Sequence, residues 1–280
     1  MLAIGIEKKY SYAIQERVLK VVSMAGYVKL SLQILNSMIY FDDDEDNGGG
    51  HSNSTAPYIP SSMAYTSVFN RLRKWKKVDT MRETLEKLSR ACKLNGEMLD
   101  VVVLNTYLAA LCDPVKINQV LLEEARQLLD AKVAMERYRF PDPDVISFNT
   151  VLNAAAEIGY QAVIDDIIHT MKKQEVVPDI VTYNALLKDA STPTAKLAVM
   201  DEIRAFPGLS FDKYTIEMSV LAFAQEGLIL ELLELLKDFS LTNRDKYSLS
   251  NAFSTFLLAL VKVRACMYVS SVDVETCFPP

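Results

Sequence analysis

Asn105, Asn149 and Asn184 each close one version of the same short phrase: LDVVVLN, PDVISFN and PDIVTYN, opening at Leu99, Pro143 and Pro178. Asparagine is a poor residue for a helix interior, because its amide competes with the backbone for hydrogen bonds. Each of these three nevertheless stands one position past an apolar residue, at the same register of a helical pattern. A carboxamide carries a donor and an acceptor side by side, the hydrogen-bonding complement of the Watson–Crick edge of an unpaired base. It can equally well bond a neighbouring helical hairpin and do no more than fix how the hairpins stack. An aspartate holds the second place of each phrase, Asp100, Asp144 and Asp179, with Asp212 in the looser FDKYTIE. Aspartate is a favoured helix N-cap, so capping accounts for the aspartates, alone or beside a second role.

The phrase recurs because the helices that carry it recur. Taking the last residue of each version as an anchor, Thr66, Asn105, Asn149, Asn184, Glu217 and Ser250 follow one another at steps of 39, 44, 35, 33 and 33 residues. A period of this size marks a repeat architecture. Each copy holds two helical patterns. After Val145, Phe148, Val151, Leu152 and Ala155 fall at i, i+3, i+4 and i+7; past Gly159, Ile164, Ile167, Ile168 and Met171 do the same. Such spacing puts one apolar stripe on each helix. The copies at Tyr65, Leu104, Tyr183 and Ile216 repeat it. In the copy at Leu104 the second helix is read through Leu121, Ala125 and Leu128, with ERYRFPDPD as an insert before the next copy. A hairpin of about 35 residues cannot bury two stripes alone, but stacked on its neighbours it can. The expected fold is all-α, an α-solenoid of stacked helical hairpins, with units starting near 62, 101, 145, 180, 213 and 246 and spanning 62–262. Residues 8–40 read as a further, degenerate hairpin. The acidic and Gly/Ser-rich segment 41–61 reads as a disordered loop, and 263–280 as an irregular tail.

Several function classes drop out. Four cysteines far apart, with no CxxC, read as free thiols in a reducing compartment. Two histidines, His51 and His169, cannot build a histidine metal site, and FDDDED lacks the spacing of a calcium loop. No metal or other cofactor is expected. The longest apolar runs, such as FLLALV at 256–261, are too short to span a bilayer, so no membrane insertion is expected. A zinc deaminase needs H-x-E and P-C-x-x-C, and neither occurs. A nuclease needs a further domain with clustered aspartates, for which the chain ends too soon. The expectation is a protein that is not an enzyme.

A 35-residue helical hairpin opening on P-D-V-V-T-Y-N resembles the pentatricopeptide repeat family. PDVISFNTVL and PDIVTYNALL are close to it and LDVVVLNTYL is a good match, whereas the copies at Thr66, Glu217 and Ser250 are looser. The resemblance implies a right-handed superhelix and single-stranded RNA as partner, read one base per repeat, in a mitochondrion or plastid. It places the reading positions at the fifth residue of a first helix and the last residue of the repeat. Here these pair Thr66 with Asp100, Asn105 with Asp144, Asn149 with Asp179, and Asn184 with Asp212; Glu217 with Asp245 departs from the pattern. By the same resemblance Asn with Asp prefers uracil and Thr with Asp prefers guanine, so the strand is of the form G-U-U-U. The second helix position holds Val102, Ile146, Val181 and Tyr214. It lies three residues before the reading position, on the same face, where stacking on a base explains an apolar residue. Lys188 shares that face and is a candidate phosphate contact. The start MLAIGIEKKYSY has no targeting pattern, which for an organelle protein suggests a true start upstream of Met1.

Charge favours a rival. A net charge of −6 and a pI near 5.1 suit a protein-binding scaffold, with other proteins as partners, better than an RNA binder. Setting aside the five acidic residues of FDDDED leaves about −1. The run RLRKWKK, 71–77, is either a solvated loop or the best phosphate-binding patch in the chain.

Overall fold

The computed structural model describes residues 8–39 and 58–225 and, beyond them, residues 230, 231, 233–235, 237, 254, 257, 258 and 261. Every regular element among these residues is a helix. Ser250 and most of the unit expected near 246, most of the 41–61 segment, and the tail from 263 lie outside the described residues. Contacts divide the chain into two units, one reaching to residue 155 and taking in 162–176, the other formed by 156–161 and the chain from 177 on.

The first unit is a stack of hairpins: α1 (Lys8–Ala25), α2 (Val28–Met38), α3 (Ser62–Lys74), α4 (Val78–Asn95), α5 (Val101–Leu111), α6 (Gln119–Gln127), α7 (Ala131–Tyr138), most of α8 (Val145–Ile158), and α9 (Gln161–Lys173). The first helices lie side by side, α1 against α3 and α3 against α5; α2 packs on α1 and α3, α4 on α3 and α5, and α7 on α4. This order explains the composition of the helices. A first helix flanked by other first helices and backed by second helices meets protein on most sides, and α5, VVVLNTYLAAL, is apolar almost all round. A second helix faces water behind, and α4 alternates charge with its stripe of Met81, Leu85, Leu88 and Cys92, all fully buried. Tyr107, Tyr138 and Phe140 meet edge to face at ring distances of 6.0 and 5.8 Å and close the centre of this unit.

Turn chemistry sets the hairpins. Gly96 ends α4 at φ +71°, with the Glu97 N–H bonding the Cys92 carbonyl. A Cβ there would meet nothing within 4 Å. Gly96→Ala therefore isolates the left-handed backbone penalty, and a loss of about 1 kcal/mol is expected in the urea midpoint of unfolding.

The second helix of the unit starting at Val101 is not continuous, as the sequence pattern suggested. Leu128 lies in a turn after α6, and the ERY of the supposed insert is helical, inside α7. The cause is local. The Asp130 carboxylate accepts from Lys132 N–H and Val133 N–H and opens a new helix, and Arg139 at φ +60° ends it. Residues 58–61 of the expected loop are docked on α1: the Tyr58 ring stacks 4.0 Å from Tyr12, and its hydroxyl donates to Glu16 at 2.7 Å.

In the second unit, α10 (Ile180–Asp189) packs on α11 (Pro193–Ala205) and α12 (Lys213–Gln225). Its core joins Tyr183, Leu187, Met200, Ile203, Phe211 and Phe223. Thr192 caps α11 ahead of Pro193, whose missing N–H costs nothing at a first helical position. Lys196 is buried, and its ammonium donates to the Leu187 carbonyl at 2.5 Å, capping the end of α10. Burial holds its pKa below the ordinary lysine value.

Candidate nucleic-acid interface

The N-terminal ends of the first helices carry the residues of interest. Asp100, Asp179 and, at the same place, Asp144 and Asp212 precede α5, α10, α8 and α12. All four are caps: Asp100 accepts from Val102 N–H, Asp144 from Ser147 N–H, Asp179 from Thr182 N–H and Asp212 from Thr215 N–H, at 2.8 to 3.0 Å. Three of them have a second partner in the helix. The backbone N–H groups of Asp144, Asp179 and Asp212 donate back to the hydroxyls of Ser147, Thr182 and Thr215, closing a capping box in each case.

Two caps also hold an asparagine of the preceding first helix. Asn105 Nδ2 donates to both carboxylate oxygens of Asp144, at 3.1 and 3.3 Å. Asn184 Nδ2 does the same to Asp212, at 3.0 and 3.1 Å. The other end of each amide is engaged too, by Ser147 Oγ at 2.6 Å and by Thr215 Oγ1 at 2.9 Å. Capping and amide orientation thus coexist in one carboxylate. Both asparagines stay partly exposed, so each keeps one N–H and one carbonyl lone pair for a ligand.

Beside each amide stands an apolar side chain with no core to join. Val102 and Ile146 in the first unit, and Val181 and Tyr214 in the second, are between 44% and 62% exposed. Met63 occupies the same place on α3, three residues before Thr66, and is exposed as well. Its spacing from Thr66 was the available signal, unused because Met reads as a core residue.

A pentatricopeptide repeat domain model matches residues 141–190. A chloroplastic pentatricopeptide repeat-containing protein of Arabidopsis thaliana is 34% identical over 114 residues, 39% of this chain and 13% of the relative's length. Residues 141–190 thus match the pentatricopeptide repeat family. The pentatricopeptide repeat protein PPR10, in its crystal structure in complex with an 18-nt psaJ RNA element, has the same fold, with a TM-score of 0.51 and 19% identity. That match covers 96% of this chain and 34% of PPR10. A serine-for-cysteine variant of PPR10 with the same RNA element matches equally well. The chain thus spans about a third of the solved relatives and a smaller part of the curated one.

Three details of the structure bear on the sequence reading. Asn149 lies off the apolar stripe of α8, yet it is only 6% exposed. Its own carbonyl also accepts from Asn153 Nδ2 at 3.0 Å. Thr66 does not bond Asp100: its hydroxyl oxygen is buried with no partner among the described residues, and Ser62 Oγ donates to Asp100 at 2.5 Å instead. Lys188, a candidate for phosphate, is ion-paired with Glu157. Glu157 stands 31 residues earlier, and no local pattern links the two.

The run RLRKWKK forms the turn from α3 to α4. Lys76 adopts φ +55° and pairs with Asp113 at 3.1 Å, Arg71 donates to the Met24 carbonyl, and Trp75 is exposed. Part of the run is thus structural. Sequence reasoning missed Ser147, Thr182 and Thr215, all fully buried; the spacing D-x-x-S/T after each cap was their signal. It also missed Glu16, whose carboxylate accepts from Ser61 N–H and Oγ at 2.7 Å. Burial pushes the Glu16 pKa up, but these bonds and the one from Tyr58 outweigh it and hold it below the ordinary value.

Proposed function

We propose that this chain binds single-stranded RNA, one base per repeat, and acts without catalysis in RNA processing, stability or translation within an organelle. The observation that carries this reading is the pairing of a partly exposed, oriented amide with an exposed apolar side chain at the head of two first helices, α5 and α10. A base stacked between Val102 and Ile146 brings its Watson–Crick edge to Asn105, and stacking supplies affinity that every base can share. Thr66 with Asp100 then reads guanine, and the Asn105, Asn149 and Asn184 pairs each read uracil, giving G-U-U-U from 5′ to 3′. The RNA named with PPR10 and the chloroplastic relative support an RNA partner and a plastid.

Selection from a random RNA pool with the purified chain tests this. The expected product is U-rich and single-stranded with a 5′ guanine, bound on the order of micromolar, since few bases are stacked at about 1–3 kcal/mol each. Binding weakens with salt at a slope of roughly −0.7 per phosphate contacted. Asn149→Thr, with Asp179 kept, is expected to move one position from U toward G. A pool that yields no single-stranded motif, or a motif that Asn149→Thr leaves in place, returns the chain to the scaffold class that its acidic charge suits.

A further inference from the structure

We infer that Ser147 and Thr215, the third residues of their helices, are positioning residues that fix which end of the Asn105 and Asn184 amides faces a base, and so separate uracil from cytosine. The inference rests on the RNA reading above.

The orientation follows from proton counting. A carboxylate only accepts, so the Asn105 atom 3.1 and 3.3 Å from the Asp144 oxygens is the amide nitrogen. Hydrogen bonding, rather than atom labels, assigns the flip. The carbonyl oxygen therefore lies 2.6 Å from Ser147 Oγ. That oxygen carries no proton, so the hydroxyl donates; its other acceptor, Asp144 Oδ1, is farther away at 3.0 Å, and Thr215 Oγ1 likewise has Asp212 Oδ1 at 3.0 Å. The hydroxyl in turn accepts from Asp144 N–H at 3.2 Å, and Ser147 N–H donates to Asp144 at 2.8 Å. The result is a closed ring of three residues with both ends of the amide pinned. The second unit repeats it independently with Asn184, Asp212 and Thr215, at 3.0, 3.1 and 2.9 Å. Where the third residue is apolar the ring is absent: Val103 follows Asp100, and Thr66 makes no such bond. Thr182, fully buried against Asp179, stands at the equivalent place.

A pinned amide offers its spare N–H and its spare lone pair in one order. Opposite N3, uracil needs an acceptor, because N3 carries a proton; cytosine needs a donor, because N3 does not. With the aspartate alone, the nitrogen is held but the carbonyl end pivots about it, so the spare N–H and the spare lone pair point in no fixed direction. The hydroxyl removes that freedom. A hydroxyl that served only the capping box would affect folding and leave the choice of base alone.

Thr215→Val is nearly isosteric and deletes the donor; Thr215→Ser keeps it. With labelled G-U-U-U strands carrying a single U→C change, Thr215→Val in the full chain is expected to cut the U-over-C preference at one nucleotide at least fivefold. Preference at the other positions stays, and Thr215→Ser retains the wild-type ratio. Ser147→Ala is expected to act likewise at the neighbouring nucleotide. A uniform loss of affinity with unchanged ratios overturns the inference. A second measurement separates it from the reading beneath it: exchange protection of the Asn184 side-chain amide, by NMR without RNA, is expected to fall in Thr215→Val and persist in Thr215→Ser. Protection that behaves so in a wild-type chain binding no RNA sinks the RNA reading and leaves the ring as a fastener between hairpins; protection unmoved by Thr215→Val sinks the ring itself.

Discussion

Glu124→Ala is expected to lower the unfolding free energy by about 3 kcal/mol, the largest single-site loss of those considered. The Glu124 side chain is only 11% exposed and joins four helices. It accepts from Arg82 on α4 at 2.8 and 3.3 Å, from the Tyr107 hydroxyl on α5 at 2.8 Å, and from Arg137 on α7 at 3.4 Å. Truncation leaves the hydroxyl of the fully buried Tyr107 without an acceptor, which costs about 1–3 kcal/mol. It also takes from Arg82 one of its two carboxylates; Asp79, at 2.8 Å, stays, and the side chain reaches solvent enough to recover part of the loss. Glu124→Gln keeps an acceptor and the volume, and about half the effect is expected. Burial pushes the Glu124 carboxyl up, but hydrogen bonds from Arg82 and Tyr107 and the charges of Arg82 and Arg137 outweigh it, so its pKa lies below the ordinary 4.5. A lowered carboxyl contributes stability that is complete above 4.5 and is lost as pH falls through the folded value. The gap between wild type and Glu124→Gln in thermal unfolding should therefore narrow as pH drops below 4.5. A gap independent of pH would show that charge is not what Glu124 contributes.

The double substitution Ile146→Ala, Val181→Ala should do the reverse: leave stability within about 0.5 kcal/mol and weaken binding of a U-rich strand about thirtyfold. Both side chains are about half exposed and pack in no core, so little folding energy rests on them. An aliphatic side chain against a base belongs at the low end of the stacking range, about 1 kcal/mol each. Titration of labelled RNA beside a melting curve checks both halves. If melting falls along with affinity, or affinity does not move, these residues are not a stacking platform.

The apolar stripe of α8 was legible. Phe148, Val151, Leu152 and Ala155 follow the helical period and are fully buried, because a one-sided pattern has one way to leave water. The break between α6 and α7 was not, since Leu128 and Leu129 continue the apolar run and are buried in the turn as they would be in a helix. Only the cap at Asp130 decides there, and caps compete weakly with periodicity in a sequence. The pairing of asparagine with aspartate came through family resemblance; distances of about 3 Å between residues 39 and 28 apart have no local signature. For the same reason the ion pair that occupies Lys188 and the burial of Asn149 were out of reach. Both depend on what a neighbouring hairpin brings, and the sequence states that only as a step length.

The ring of Asn105, Asp144 and Ser147 also has a mechanical side. It ties the middle of one first helix to the head of the next, so a strand tugging at the amide pulls on a latch rather than on a loose side chain. Where the fifth residue is Thr66, no hydroxyl or amide crosses the step from that position, and the latch moves to Ser62 at the very end of the helix. Stiffness at each such joint is therefore written by the same residues proposed to choose the base. On that proposal, retuning a joint from Thr to Asn changes its spring as well as its reading, and a joint with Asn should resist stretching more than a joint with Thr.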